Sequence, residues 1–163
     1  MILTLISLAV FVTYMVYAIR VTKGIPWSIS ETYYHLEQHG RPKYLFQLTM
    51  IFSAFLLLPS WLKLSPEHLQ FLAFLSCAGL IFVGAAPCFK LRLDGRIHYV
   101  ATVICGISSV IWICLMGFWF IPLILFLLAI YLTYRYLRPL FWIECTAFIS
   151  AYTAIIIQTC VGS

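Results

Sequence analysis

The sequence predicts an all-α integral membrane protein, a bundle of six transmembrane helices with one short helix at the cytoplasmic surface. Its 163 residues are 64% hydrophobic and only 9% charged, whereas soluble domains carry roughly 25% charged residues. Six apolar runs are long enough, at about 1.5 Å per residue, to cross a hydrocarbon core about 30 Å thick. Nine of the ten Lys and Arg residues fall on one side of the membrane when these runs are counted as spans.

This distribution of basic residues predicts the orientation of the chain. Basic residues near span ends are retained in the cytoplasm, and only Lys63 falls on the other side. We therefore expect a protein of the plasma (inner) membrane, with charged loops in the cytoplasm and both termini outside it. We expect the first run to be a retained span rather than a signal peptide, because Arg20 and Lys23 follow it and no basic segment precedes it.

The predicted spans form a single transmembrane domain over residues 1–163. They are expected at about residues 2–19, 44–62, 68–89, 97–116, 118–134 and 140–160. Small residues recur on the third, fourth and sixth runs, and such residues let helix backbones approach closely in lipid. The fifth run is almost wholly large and aliphatic between Ile121 and Ile130, so it is predicted to be the most lipid-exposed helix.

The long connection between the first two runs contains the predicted interfacial helix. Residues 28–31 have the Ser-x-x-Glu form of a capping box, in which Ser28 and Glu31 satisfy reciprocal backbone donors. A helix that begins there is expected to end at Gly40, because Pro42 prevents its continuation. Its apolar residues fall on one face, which is typical of a helix that lies in the membrane interface.

Polar residues that could form a site fall on the predicted cytoplasmic face. Glu144 stands out, because an ionisable group within a span is costly to bury unpaired. The alternative interpretation gives it a packing role, through snorkelling or through pairing with Arg138, Arg135 or His98. We predict that polar residues of this face converge into a ligand-binding site, and the set is Ser28, Ser30, Glu31, His35, Arg92, Arg96, His98 and Glu144.

Imidazole and carboxylate groups at helical spacing leave a metal site open as an alternative. Glu31, His35 and His39 follow one another at intervals of four residues, and Asp94 and His98 repeat this spacing. Zinc would take three such ligands and a water molecule. The main expectation is no cofactor, since interfacial histidines are common and the six cysteines form no CxxC pair. We interpret the cysteines as small hydrophobic residues.

Two short segments of the chain carry a family resemblance. The first is 28–31 (Ser-Ile-Ser-Glu) with 45–47 (Leu-Phe-Gln), and the second is 84–87 (Gly-Ala-Ala-Pro) with Asp94 and His98 after it. Together they resemble a bacterial six-span membrane family that carries only the label domain of unknown function, number 998, and they are similar to the DRAM/Sfk-type proteins of eukaryotes. The resemblance implies a six-helix fold and, through the eukaryotic relatives, a connection with membrane-lipid homeostasis. The matching positions are Ser28, Ser30, Glu31, Pro87 and His98.

Three functions are compatible with these residues. The leading hypothesis is a non-enzymatic membrane protein whose cytoplasmic-face polar site binds a lipid headgroup or a protein partner. The first alternative is a membrane-embedded metal-dependent lipid hydrolase, similar to the ceramidase-type superfamily, which also places His, Asp and Ser at membrane interfaces. The second is an oligomeric channel or effector pore, although no helix shows the polar stripe that a water-filled lumen needs. Membrane lipids are the expected partners, and assembly into a homo-oligomer is left as a possibility. Nucleic acid is not expected, because no basic run interleaves with aromatic residues.

Overall fold

The computed structural model describes residues 1–161 and confirms the predicted all-α helix bundle. A short 3₁₀ turn, Glu67–Leu69, is the remaining helical element of the described chain. The α-helices are α1 (Ile2–Thr22), α2 (Thr32–Gln38), α3 (Tyr44–Leu64), α4 (Gln70–Ala85), α5 (Arg92–Leu115), α6 (Phe120–Tyr136) and α7 (Pro139–Val161).

Within residues 1–161, five helical segments are long and apolar enough to cross a membrane: α1, α3, α4 with its preceding 3₁₀ turn, α5 and α7. The predicted fifth span corresponds to α6, which is apolar but has 17 residues. At about 1.5 Å per residue such a helix is about 26 Å long, slightly less than the hydrocarbon core. Large side chains such as Phe55, Phe74 and Ile107 are exposed on the outside of the bundle, which is typical of a surface that faces lipid.

The predicted boundaries are wrong at the connection between α4 and α5. The third span is predicted to reach residue 89, but α4 ends at Ala85, because Pro87 lacks a backbone donor and disfavours helical geometry in the residue before it. The fourth span is predicted to begin near residue 97, but α5 begins at Arg92. Asp94 therefore lies in the first turn of α5, where a carboxylate is favourable near the positive end of the helix.

The long helices enclose the interior of the bundle. Helices α1, α3, α4 and α5 pack in a row, each against the next, and α7 closes the row by packing against α5, α1 and α3. Helix α6 packs mainly against α7 and buries only Ile121 and Ala129, as expected for the most lipid-exposed helix. The α4–α5 approach depends on Gly79, where an added Cβ would lie 2.8 Å from the backbone oxygen of Ala101.

The segment before α2 forms a capped turn rather than the first turn of a helix. The Ser28 hydroxyl accepts the Glu31 N–H at 3.0 Å, as half of a capping box should. The Glu31 carboxylate, however, accepts the N–H of Trp27 at 2.9 Å, instead of that of Ser28. Helix α2 consequently begins only at Thr32.

Helix α2 ends where the sequence predicts and packs onto the bundle. Gly40 adopts φ +63, and the N–H of Arg41 donates to the carbonyl of Leu36 at 2.8 Å, which is the Schellman arrangement. The buried side of α2 faces α1 and α3, and its Thr32 hydroxyl is hydrogen-bonded to the Tyr14 hydroxyl of α1 at 2.5 Å. The helix is therefore attached to the bundle by both apolar and polar contacts.

Contacts between loops show which ends of the helices lie together. The N–H of Lys90, in the α4–α5 loop, donates to the Tyr34 hydroxyl of α2 at 3.1 Å. The guanidinium of Arg138, between α6 and α7, lies 4.1 Å from the ring centre of Trp27. The connections 23–43, 86–91 and 137–138 thus meet at one end of the bundle, which we call the polar end. At the opposite end, the Trp112 indole donates to Ser65 Oγ at 2.8 Å.

Candidate functional site

A pocket at the polar end brings together four of the predicted ligand-binding residues. It has a volume of about 70 Å³, and we call it the polar pocket. The four come from separate parts of the chain: Ser28 and Ser30 from the capped turn, His98 from α5 and Glu144 from α7. The complete lining consists of Ser28, Ser30, Phe89, His98, Tyr99, Thr102, Leu140 and Glu144.

His98 is buried and held by two hydrogen bonds. Its Nδ1 lies 3.0 Å from the carbonyl oxygen of Ala86, and its Nε2 lies 2.9 Å from Ser30 Oγ. Because a carbonyl oxygen can only accept, we assign the proton to Nδ1, so that Nε2 accepts the proton of the Ser30 hydroxyl. The ring also packs beside Phe89, with centroids 5.2 Å apart. In this arrangement the lone pairs of the Ser30 oxygen remain available to a ligand.

Glu144 is attached to the capped turn through the backbone. Its Oε2 accepts the N–H of Ile29 at 2.5 Å. Within residues 1–161 it forms no ion pair, so the interpretation that it pairs with Arg138, Arg135 or His98 is wrong. Its second oxygen, Oε1, makes no hydrogen bond to a described residue, and this oxygen is therefore available to a ligand. Glu144 thus joins α7 to the turn and still has an unused acceptor.

The predicted site residues Arg92 and Arg96 lie outside the lining of the polar pocket. Both side chains are exposed and neither lines the polar pocket. For Arg96 the reason is helical geometry, since it is two residues from His98 and therefore about 200° away around α5. Among the described residues, no Lys or Arg lines the polar pocket, so the pocket has a carboxylate and no cationic side chain.

Basic side chains near α2 contact groups outside the pocket. Lys43 Nζ lies 2.5 Å from Glu37 Oε1, and this hydrogen bond raises the pKa of Lys43. Burial raises the pKa of Tyr33, whose ring centre is 5.5 Å from the same ammonium group. Lys90 Nζ lies 4.3 Å from the ring centre of Tyr34. These cations therefore stabilise the surface of the polar end and leave the pocket without a positive charge.

Glu31 and His35 form a separate pair beside the pocket. His35 Nε2 lies 3.6 Å from Glu31 Oε2, and the Nδ1 of His39 donates to the backbone oxygen of His35 at 2.8 Å. Neither Glu31 nor His35 lines the polar pocket. Within residues 1–161, no group of three His, Cys, Asp or Glu side chains could hold a metal ion. The alternative zinc ligands Glu31, His35, His39, Asp94 and His98 thus form no such group.

The polar pocket adjoins a larger apolar cavity that sequence reasoning did not predict. This apolar cavity has a volume of about 190 Å³ and lies between α5 and α7, with α3 and α4 behind it. Ser30, Thr102, Leu140 and Glu144 line both spaces. Tyr99 of α5 and Leu140 of α7 are exposed on the rim, so the combined site opens between these two helices.

Gly106 of α5 leaves space in the wall of the apolar cavity. A Cβ added there would meet no atom within 4 Å, so Gly106 is not needed for close helix packing. Gly106, Cys105 and Phe148 also line a third space of about 50 Å³ deeper in the bundle, which we call the inner cavity. The three spaces therefore follow one another along α5 and α7, starting at the polar end.

No protein-family model, curated protein or solved structure matches this chain. The resemblance to the bacterial six-span family and to the DRAM/Sfk-type proteins stays a prediction. Its two segments lie side by side in the structure, since His98 is hydrogen-bonded to both Ser30 and Ala86.

Proposed function

We propose that this protein binds a membrane amphiphile, with the headgroup in the polar pocket and the hydrocarbon chain in the apolar cavity. The observation that carries the proposal is that Ser30, Thr102, Leu140 and Glu144 line both spaces. Ligand sites are concave and mostly apolar, with a few polar groups that fix the orientation of the ligand. A polar recess joined to an apolar cavity corresponds to the two parts of an amphiphile.

The position of the opening favours a ligand that comes from the bilayer. The rim lies between α5 and α7, and exposed apolar side chains such as Val103 and Ile143 surround it. An amphiphile could enter sideways from the membrane, so that its chain never crosses water. A water-soluble protein partner, in contrast, would meet the charged surface of α2 rather than this opening.

The headgroup contacts must supply most of the selectivity of such a site. Lipid chains are as apolar as the walls of the cavity, so moving a chain from the bilayer into the protein yields little hydrophobic free energy. A hydrogen bond contributes about 0.5–1.5 kcal/mol, and one to a charged group about 1.5–3 kcal/mol. Glu144 and Ser30 are therefore the residues that we expect to distinguish one amphiphile from another.

The proposal includes the cellular arrangement that the sequence predicts. The polar end would face the cytoplasm of a plasma (inner) membrane protein, because it carries nine of the ten basic residues. Both termini would then lie outside the cytoplasm. The function is one of binding, with membrane lipids as partners, and it is compatible with a homo-oligomer. The resemblance to the DRAM/Sfk-type proteins points in the same direction, since it implies a connection with membrane lipids.

Photolabelling in bilayer nanodiscs tests the proposal without assuming a headgroup. The protein is incubated with a mixture of hexadecanoic acid, hexadecanol and hexadecylamine, each with a diazirine in its chain, and labelled residues are mapped by mass spectrometry. We expect labels to concentrate on residues of α5 and α7 that line the apolar cavity. The variant Gly106→Leu should lose this labelling, because its side chain fills the cavity.

Val100→Leu is the matched control, since it adds the same residue type to α5 at an exposed position that lines neither the polar pocket nor the apolar cavity. It should keep the labelling pattern of the unmodified protein. The proposal is wrong if labels spread over the lipid-facing sides of α1 and α6 as densely as over the cavity, and Gly106→Leu leaves that pattern unchanged.

A further inference from the structure

The polar pocket has the chemical composition of a site for a cation. Its lining combines the Glu144 carboxylate, the His98 imidazole, four hydroxyl groups and the rings of Phe89 and Tyr99, and among the described residues it contains neither Lys nor Arg. A negatively charged head would lie beside a carboxylate with no cation to offset the repulsion. The lining therefore disfavours phosphate and carboxylate heads in this pocket.

The hydrogen bonds already made in the pocket leave three oxygens as acceptors, while the Ser28 hydroxyl, which accepts the Glu31 N–H, keeps its own proton as a donor. Glu144 Oε1 is unused by the described residues, and the Ser30 hydroxyl gives its proton to His98. The Thr102 hydroxyl donates to the backbone oxygen of His98 at 2.8 Å, so its oxygen is also left as an acceptor. A primary ammonium group carries three N–H donors and could satisfy these three oxygens.

Aromatic rings complete the environment that an ammonium group prefers. Phe89 and Tyr99 line the pocket, with centroids 6.5 Å apart and planes inclined at 63°. Cations are attracted to the faces of such rings at distances up to about 6 Å. The rings thus add surfaces whose faces attract a positive head.

The shape of the apolar spaces indicates a ligand with one chain. The apolar cavity and the inner cavity share Cys105, Gly106 and Phe148 and follow each other along α5 and α7. Their volumes are about 190 and about 50 Å³, and they lie end to end rather than side by side. Two chains side by side would need a second path from the same pocket.

We propose that the ligand is a single-chain amphiphile with a protonated primary amine as its head, bound by Glu144, Ser30 and Thr102. This inference rests on the amphiphile binding proposed above and specifies its ligand class. Glu144 makes the charged contact, the two hydroxyl oxygens accept the remaining N–H groups, and the chain follows the apolar cavity.

Native mass spectrometry of the protein released from nanodiscs tests the headgroup. Four probes with the same chain are offered one at a time: hexadecylamine, hexadecanol, hexadecanoic acid and hexadecyltrimethylammonium. We expect hexadecylamine to bind at least about tenfold more tightly than the alcohol or the acid, because its contact with Glu144 is a charge-assisted hydrogen bond.

Glu144→Gln should remove this preference, lowering the affinity for hexadecylamine about tenfold and that for hexadecanol less than about threefold. The Gln oxygen can still accept the Ile29 N–H, so the turn stays attached to α7. Glu67→Gln is the matched control, because it removes an exposed carboxylate from the opposite end of the bundle and should change neither affinity. The comparison of probes on the unmodified protein needs no variant, so it holds even where Glu144→Gln folds poorly.

Each outcome bears on one proposal or on both. Equal or tighter binding of the acid or the alcohol overturns the amine head but leaves amphiphile binding intact. Equal binding of the trimethylammonium probe overturns the primary amine, because that head has no N–H donor. Absence of binding for all four probes, together with evenly spread photolabelling, overturns both proposals.

Discussion

A single imidazole connects the chain segments that form the polar pocket. His98 of α5 donates to the carbonyl of Ala86 and accepts from Ser30 in the capped turn. A buried polar group without such partners would be costly, and here both ring nitrogens are satisfied by protein groups. His98 therefore acts mainly as a positioning residue, and the pocket presents to a ligand the oxygens of the residues around it.

Replacement of His98 by Phe should destabilise the protein by roughly 2–6 kcal/mol. Phe preserves the ring contact with Phe89 but leaves the Ala86 carbonyl and the Ser30 hydroxyl unpaired, and each such group costs about 1–3 kcal/mol. The free energy of unfolding is measured by denaturant titration in micelles. His68→Phe, at an exposed position in the 3₁₀ turn, should change it by less than about 0.5 kcal/mol. Equal effects of the two substitutions would show that the hydrogen bonds of His98 do not stabilise the bundle.

At the scale of helices, two glycines have opposite effects on packing. Gly79 of α4 allows contact with α5, since a Cβ there would lie 2.8 Å from the Ala101 oxygen and 2.9 Å from Cys105 Cβ. Gly106 of α5 has no atom within 4 Å of such a Cβ. The first glycine brings two helices together, whereas the second separates the walls of the apolar cavity.

Alanine at these two positions should therefore change stability in opposite directions. Gly106→Ala should raise the free energy of unfolding by about 0.5–1 kcal/mol, because Ala loses less backbone entropy than Gly in a helix. Gly79→Ala should lower it by about 1–3 kcal/mol, because the added methyl group overpacks the α4–α5 interface. Denaturant titration of both variants in the same micelles measures the difference. A loss at Gly106 as large as that at Gly79 would mean that α5 and α7 are in close contact there and that no cavity separates them.

The predictable features are those encoded within one element. The half capping box at Ser28 and the helix end at Gly40 follow from local backbone requirements, and the fold class follows from the apolar runs. The apolar cavity could not be predicted, because a small residue such as Gly106 promotes close packing on one helix and leaves a gap on another. The hydrogen-bond partner of Glu144 could not be predicted either. It is the backbone N–H of Ile29, and every residue except proline has such a group, so the sequence does not single it out.

For the whole molecule, the short helix α6 decides how many times the chain crosses the membrane. Helix α5 ends near the Trp112–Ser65 contact at one end of the bundle, and Arg138 after α6 lies against Trp27 at the other. Helix α6 therefore connects the two ends of the bundle within 17 residues. A span slightly shorter than the hydrocarbon core can be accommodated by local thinning of the bilayer at modest cost.

Reporter fusions after successive helices test this path together with the proposed orientation. Green fluorescent protein should fluoresce when fused after Arg41 or Arg138, because the basic loops are retained in the cytoplasm. Alkaline phosphatase should be active after Ser65 or Gly117, because α3 and α5 end on the other side. The pair Gly117 and Arg138 isolates α6, since only this helix separates the two fusion points. Phosphatase activity at both points would show that α6 does not cross the membrane. In that case α7 would begin on the side of the membrane opposite to the capped turn. Glu144, near the start of α7, could then not accept the Ile29 N–H, and the polar pocket would not form.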